Sequence, residues 1–415
     1  DEQAQPGPAP SIVVESAPQP EEAEEIGFPE FATRNTTRVG SADSIASAAG
    51  IALASYPSQG GVDGPGAVVI APAGSWQEAL AATPLTADPI AAPVLLSEPG
   101  QVPELTGKAL AALSPSGLEQ GDGVEAFAAG DVAVPEGLDA VDLEGRDEAE
   151  IAKRVDAELT RLTGEKDPGA LLVVSSKEPA LAMPAAAWAA RSGDPILFAS
   201  GDEVPEATLD VIRKHARVPV YVLGPESAIG GKAIEAIERR GAAVTRIGET
   251  DDPVESAIEF ARFIDGDFGW NVNDPGHGFV IASARRPLDA VAAAPLSAGG
   301  KPGPLLVTEE GDDVPPALQG FLSDTQPGFI DDPSRALYNH VWLVGDAETL
   351  SVAFQAQVDE LTKLAPVSGG TEAPEFGPVP GAPEDEPSAD EPRPDGGGGG
   401  GGRDRGGNGD ADSGG

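Results

Sequence analysis

Short apolar runs without polar interruption alternate with alanine-rich segments along most of this chain. Phe279 to Glu309 reads FVIASARRPLDAVAAAPLSAGGKPGPLLVTE. A β-branched run, a turn with Pro287, an alanine-rich helical stretch and a second run at Leu305–Thr308 spell a strand, a helix and a parallel strand. The same order recurs in Val68–Glu98 (VVIAPAGSWQEALAATPLTADPIAAPVLLSE) and in Leu172–Ser200 (LVVSSKEPALAMPAAAWAARSGDPILFAS). Strands that are apolar throughout are buried on both faces, which predicts parallel sheets covered by helices.

Each copy carries the same flanks. Ahead of it lies a strand and an amphipathic helix, with Ile45, Ala48, Ala49 and Ala52 in the first copy. The second has Ile151, Val155, Leu159 and Leu162, and the third Val254, Ile258 and Ala261, at the same helical spacing. Ser44, Asp147 and Asp252 stand where a capping oxygen belongs. Behind it, a Val-Pro pair opens a further helix in VPELTGKALAAL, VPEATLDVIRKHA and VPPALQGFLSD, placing Pro in an early helical position. A final strand then ends at Gly130, Gly224 or Gly345. Copies two and three close with a helix (AIGGKAIEAIERRG and TLSVAFQAQVDELTKL), whereas copy one has only DVAVPEGL there. The period of roughly 105 residues is that of a small domain, not of a solenoid.

The expected architecture is α/β: three tandem similar modules with parallel sheets flanked by helices, at 35–138, 139–242 and 243–364. Residues 1–34 read as an acidic, Pro-rich disordered linker and 365–415 as a Pro/Gly/Asp-rich disordered tail, because neither can bury enough apolar surface to offset its ordering entropy. The chain opens DEQAQPGPAP without Met, so residue 1 is read as a processing boundary left by a secretory signal.

Charge narrows the function. A formal net charge of −43 argues against nucleic-acid partners, since no basic face is visible to offset it. The absence of cysteine excludes disulfides, thiol catalysis and Cys-ligated zinc. No apolar run approaches the roughly 20 residues of a membrane span. His215, His277 and His340 share no ligand spacing, and no nucleophile elbow, phosphate loop or carboxylate pair is evident. A protein without enzymatic activity is expected, and without a cofactor unless the acidic loop Glu309–Asp313 takes a divalent cation.

The repeat units resemble the cell-wall-binding repeat type 2 family. The resemblance is carried by Glu78–Leu85 (EALAATPL) and Asp289–Leu296 (DAVAAAPL), by Pro93–Ser97 and Pro304–Thr308, and by the openings Arg38-Val39-Gly40 and Arg246-Ile247-Gly248. It spans almost all of 36–364. Ser44, Glu148 and Pro253 stand where the family has Arg, and Asp142 replaces the opening Arg of the second unit. Leu181-Ala182-Met183 replaces that unit's Asp-Ala-Leu. The resemblance implies a pseudo-threefold arrangement and a non-catalytic anchor that binds anionic cell-wall polymer or glycan from an extracellular, cell-wall or cell-surface location. Two other readings stay open: a scaffold whose degenerate repeats no longer bind polymer, and a soluble small-molecule binder with a cleft between modules.

Ligands of parallel α/β sheets bind beyond the carboxyl ends of the strands. The candidate ligand residues are therefore Ser75, Trp76, Lys177, Arg285 and Arg286 in the loops after the first core strands, with Arg38 and Arg246 at strand ends. Trp76 and Trp270 read as loop residues able to stack on sugars, and Trp188 and Trp342 as buried.

Overall fold

A computed structural model describes residues 32–56, 64–309, 311–330 and 333–367. Of the expected linker 1–34 and tail 365–415, residues 1–31 and 368–415 lie outside the described residues, while Ala365 and Pro366 at the start of that tail form a short strand.

The first repeat holds β1 (Thr36–Val39), α1 (Ser44–Ser55), β2 (Val68–Pro72), α2 (Trp76–Ala82), β3 (Val94–Ser97), α3 (Glu104–Leu113) and β4 (Ala126–Ala129). The second holds β5 (Ala140–Leu143), α4 (Glu148–Thr163), β6 (Leu171–Ser175), α5 (Pro179–Ala182), α6 (Pro184–Ser192), β7 (Ile196–Ala199), α7 (Glu206–Lys214), β8 (Val220–Leu223) and α8 (Gly231–Glu238). The third holds β9 (Val244–Ile247), α9 (Pro253–Arg262), β10 (Gly278–Ser283), α10 (Pro287–Ala292), α11 (Ala294–Ala298), β11 (Leu305–Thr308), α12 (Pro316–Asp324), β12 (Gly328–Phe329), β13 (His340–Val344), α13 (Val352–Thr362) and β14 (Ala365–Pro366).

Three four-stranded parallel sheets form, in the orders β3-β2-β4-β5, β7-β6-β8-β9 and β11-β10-β13-β1, with a two-stranded pairing of β12 and β14. Each large sheet takes its edge strand from another repeat. β5 opens the second repeat yet pairs with β4, β9 opens the third yet pairs with β8, and β1 pairs with β13 near the end of the fold. Strand exchange thus closes a ring of three. Every residue of β2, β3, β4, β6, β7, β8, β10 and β11 is buried, as non-alternating apolar strands require.

The alanine-rich helices meet at the centre, where α6 packs against α11 and against the 3-10 turn Thr83–Thr86, and α10 contacts α2 and α6. Ala79, Ala81, Ala82, Ala185–Ala187, Ala189, Ala190, Ala290 and Ala292–Ala294 are all buried. A methyl side chain on every face lets these helices approach closely from several directions, so they show no polar stripe.

Two details differ from the sequence expectation. Asp43, not Ser44, caps α1: its carboxylate accepts from the backbone N–H groups of Ile45 (2.9 Å) and Ala46 (3.0 Å). Asp147 and Asp252 cap α4 and α9 as expected. The prolines of the Val-Pro pairs sit at the cap itself, not inside the first turn. Pro103, Pro205 and Pro315 have extended backbone, and their carbonyls accept the first helical bonds from Gly107, Leu209 and Gln319. No helix follows β4, in keeping with the weak DVAVPEGL pattern.

Candidate functional site

The third residue of β1 and of β9 is an arginine that reaches the turn beyond the neighbouring strand. Arg38 is buried and donates to the carbonyls of Gly345 (3.0 Å) and Asp346 (2.8 Å) and to Gln355 Oε1 (3.1 Å). Arg246 donates to the carbonyls of Gly224 and Ile229, both at 2.6 Å. The glycines at these turns have φ of +121° and +106°, a region L side chains rarely enter. Each guanidinium satisfies carbonyls freed where the chain leaves the sheet for α13 or α8. The matching residue of β5 is Asp142, exposed, beside the one turn that no helix follows. The arginine is present where the closing helix is present, and its guanidinium is engaged by backbone carbonyls. Arg246→Met is expected to cost about 1–3 kcal/mol by orphaning two carbonyls. Asp142→Ala should stay within about 0.5 kcal/mol. Urea unfolding midpoints check both.

The loops after β2, β6 and β10 hold the other candidates. Ser75 caps α2, accepting from the Glu78 N–H (3.3 Å), and Trp76 is the first, half-buried residue of that helix, not a loop residue. Gln77 donates to the Ser176 carbonyl (3.1 Å), which joins the first loop to the second. Arg286 turns inward. Its Nη1 donates to Thr349 Oγ1 (2.9 Å), and its Nε lies 2.8 Å from Oδ2 of fully buried Asp289. Burial pushes the Asp289 pKa up to about 6, against the pull of Arg286 and Ser44. The equivalent of Asp289 is Glu78 in the first repeat, where burial raises the pKa, Ser75 lowers it, and Glu148, Asp131 and Asp147 raise it further. In the second repeat it is Leu181, buried. Lys177 and Arg285 are exposed, and no ion pair among the described residues engages them. No described contact gathers Trp76, Lys177 and Arg285 into one site.

Sequence reading missed two clusters. The His215 side chain is fully buried, with Nε2 2.8 Å from Asp156 Oδ1 and Nδ1 2.9 Å from Asp167 Oδ1. Lys214 Nζ lies 2.7 Å from the other Asp156 oxygen. These partners are too far away in sequence for spacing to reveal them. Trp270, expected to be free for stacking, is buried: it stands edge-on to Trp188 (centroids 5.5 Å) beneath Arg191. Trp342, expected to be buried, is only half covered and lines a cavity together with Pro295, Gly299 and Gly300.

Two cavities lie where repeats meet. One of about 550 Å³ between the first and second repeats is lined by Asp88, Asp156, Glu165, Asp167 and Asp194 without any Lys or Arg. One of about 360 Å³ lies between the third repeat and the end of α1, walled by Trp342, His340 and Lys301. Among the described residues no group of three or more His, Asp or Glu is placed to hold a metal ion. In the acidic loop Asp313 accepts from Gln357 (3.2 Å), while Glu310 lies outside the described residues. No described helix is long and apolar enough to cross a membrane.

The fold matches two solved cell wall proteins of Clostridium difficile. Cwp6 aligns with a TM-score of 0.61 at 18% identity, over 80% of this chain and 49% of its own. Cwp8 aligns with a TM-score of 0.60 at 15% identity, over 79% of this chain and 52% of its own. The chain therefore spans about half the length of each. No family model matches the sequence, and no curated protein matches it.

Proposed function

We propose that this is a secreted, non-catalytic surface protein that attaches to an anionic cell-wall polymer or glycan through its three repeats, arranged about a pseudo-threefold axis. The observation that carries the reading is the architecture: parallel sheets linked by strand exchange, in a fold shared with two cell wall proteins. The repeat residues Glu78–Leu85 and Asp289–Leu296, now seen as central packing helices, support it. Attachment works by several weak contacts acting together, so avidity replaces a single strong site.

Chain and polymer both carry negative charge, so contact needs divalent cations or local bases. Lys177 and Arg285 are the exposed bases at matching loops. Purified cell walls should pellet the protein, and chelator or the double change Lys177→Ala with Arg285→Ala should at least halve the pelleted fraction. Failure to pellet under any ionic condition would end the anchoring proposal. A rival small-molecule reading draws on the 550 Å³ cavity; its acidic lining selects a cation or a polyamine, and thermal stabilisation by such a ligand without wall affinity would favour it.

A further inference from the structure

The strands β4, β8 and β13 each carry an aromatic residue three positions before the glycine that follows the strand: Phe127, Tyr221 and Trp342. Their registers agree, since Phe127 faces Val69 and Val141, Tyr221 faces Leu172 and Thr245, and Trp342 faces Val280 and Thr37 on the flanking strands. Their surroundings do not agree. Phe127 is fully buried. Tyr221 is covered by the loop after α9, whose Phe268 ring lies flat on it, with centroids 3.6 Å apart and planes 3° apart. Among the described residues, the one ring against Trp342 is that of His340, edge-on at 5.5 Å. Where the second repeat seats a ring, the third leaves the cavity of about 360 Å³.

That cavity is also electrostatically unlike the rest of the chain. Among the described residues Lys301 and His340 line it and no carboxylate does, in a protein with 69 acidic residues. The Lys301 ammonium gives one hydrogen to the Tyr338 carbonyl and has two more to offer. Burial, with Lys301 nearby, lowers the His340 pKa, so at neutral pH its ring is an uncharged hydrogen-bonding group.

We propose that this cavity binds one carboxylated sugar unit, a hexuronic acid, with the pyranose ring stacked on Trp342 and its carboxylate paired with Lys301. The electron-rich indole face suits the C–H side of a sugar ring, as it suits the edge of another aromatic. The volume lies at the small end of the roughly 300–1,000 Å³ of ligand pockets, enough for a single ring. A lone ammonium meets a ring carboxylate as a point charge, without the two-pronged geometry of a guanidinium. The assignment rests on the wall-attachment reading for the source of the sugar, but its chemistry is tested without walls.

Titration of the full chain with methyl β-glucuronide and methyl β-glucoside, followed by saturation-transfer NMR, tests it. The glucuronide should bind at least about tenfold more tightly than the glucoside, a difference of about 1.4 kcal/mol. Lys301→Ala should abolish that preference, Trp342→Ala should weaken both sugars at least about tenfold, and Trp342→Phe should retain most of the affinity. Equal affinity for the two sugars, or glucuronide binding untouched by Lys301→Ala, overturns the proposal; Lys301 is a surface residue whose loss leaves the fold intact. Failure of wall pelleting with glucuronide binding retained would count against attachment alone.

Discussion

Truncation to Ser41, which removes β1, is expected to lower the stability of the whole fold by about 5–10 kcal/mol, comparable with the roughly 5–15 kcal/mol available to a folded domain. β1 supplies the outer strand of the third sheet through four paired residues, Thr36 to Val39 against Val341 to Val344. Its loss exposes Val39 at about 1.5–3 kcal/mol and strands the hydrogen-bond partners of Arg38 at about 1–3 kcal/mol each. It also cuts Asn35 and Thr33 from Asp359 on α13, to which Asn35 Nδ2 donates at 3.4 Å. The ring then opens, since α1, which packs on α10, is no longer held by a strand in the same sheet. Urea unfolding and amide exchange at Val341–Val344 report the effect. A truncated chain with an unchanged midpoint would show that ring closure adds nothing.

His215→Ala is expected to cost about 3–5 kcal/mol, because it leaves Asp156, only 3% exposed, with Lys214 as its remaining ion-pair partner. The position also favours a cation, since His215 ends α7. Burial on its own would lower the His215 pKa, but hydrogen bonds to Asp156 and Asp167 outweigh it and hold the pKa above 6.5. The stability this adds is complete below 6.5 and is lost as pH rises through the raised value. Asp156 moves the other way. Burial would raise its pKa, yet His215 and Lys214 hold it below 3.8, so its contribution is complete above 3.8 and is lost as pH falls through the lowered value. The cluster stabilises most between these limits. The difference in unfolding free energy between wild type and His215→Ala should therefore shrink as pH rises from 6 towards 9. Taking the difference matters, because Asp289, with a pKa of about 6, titrates in the same range in both proteins. Curves that stay parallel across that interval would remove the charged-histidine account.

Local pattern alone was enough to read the strands of the three large sheets and the helices beside them. Apolar strands and alanine-rich helices are decided by neighbours a few residues away and repeat visibly three times, and two of the three capping aspartates, Asp147 and Asp252, were legible in the same way. Even the missing helix after β4 was legible, because DVAVPEGL lacks the apolar spacing a helix needs. The candidate ligand residues were less legible. Arg286 and Lys177 occupy equivalent loops, but an inward carboxylate claims one and leaves the other in solvent.

What only the tertiary structure decided is which partner each element finds at long range. β1 is a strand by its own composition, yet it belongs to the third sheet because β13 offers the free edge there. The His215 pKa is raised because two aspartates, 59 and 48 residues earlier in the chain, converge on it. Phe127, Tyr221 and Trp342 share one position in three similar strands, yet the first is buried, the second is stacked under Phe268 from the third repeat, and the third lines a cavity. Periodicity reports the face a side chain presents, and the cover on that face is set by a distant segment whose arrival leaves no mark on the local pattern.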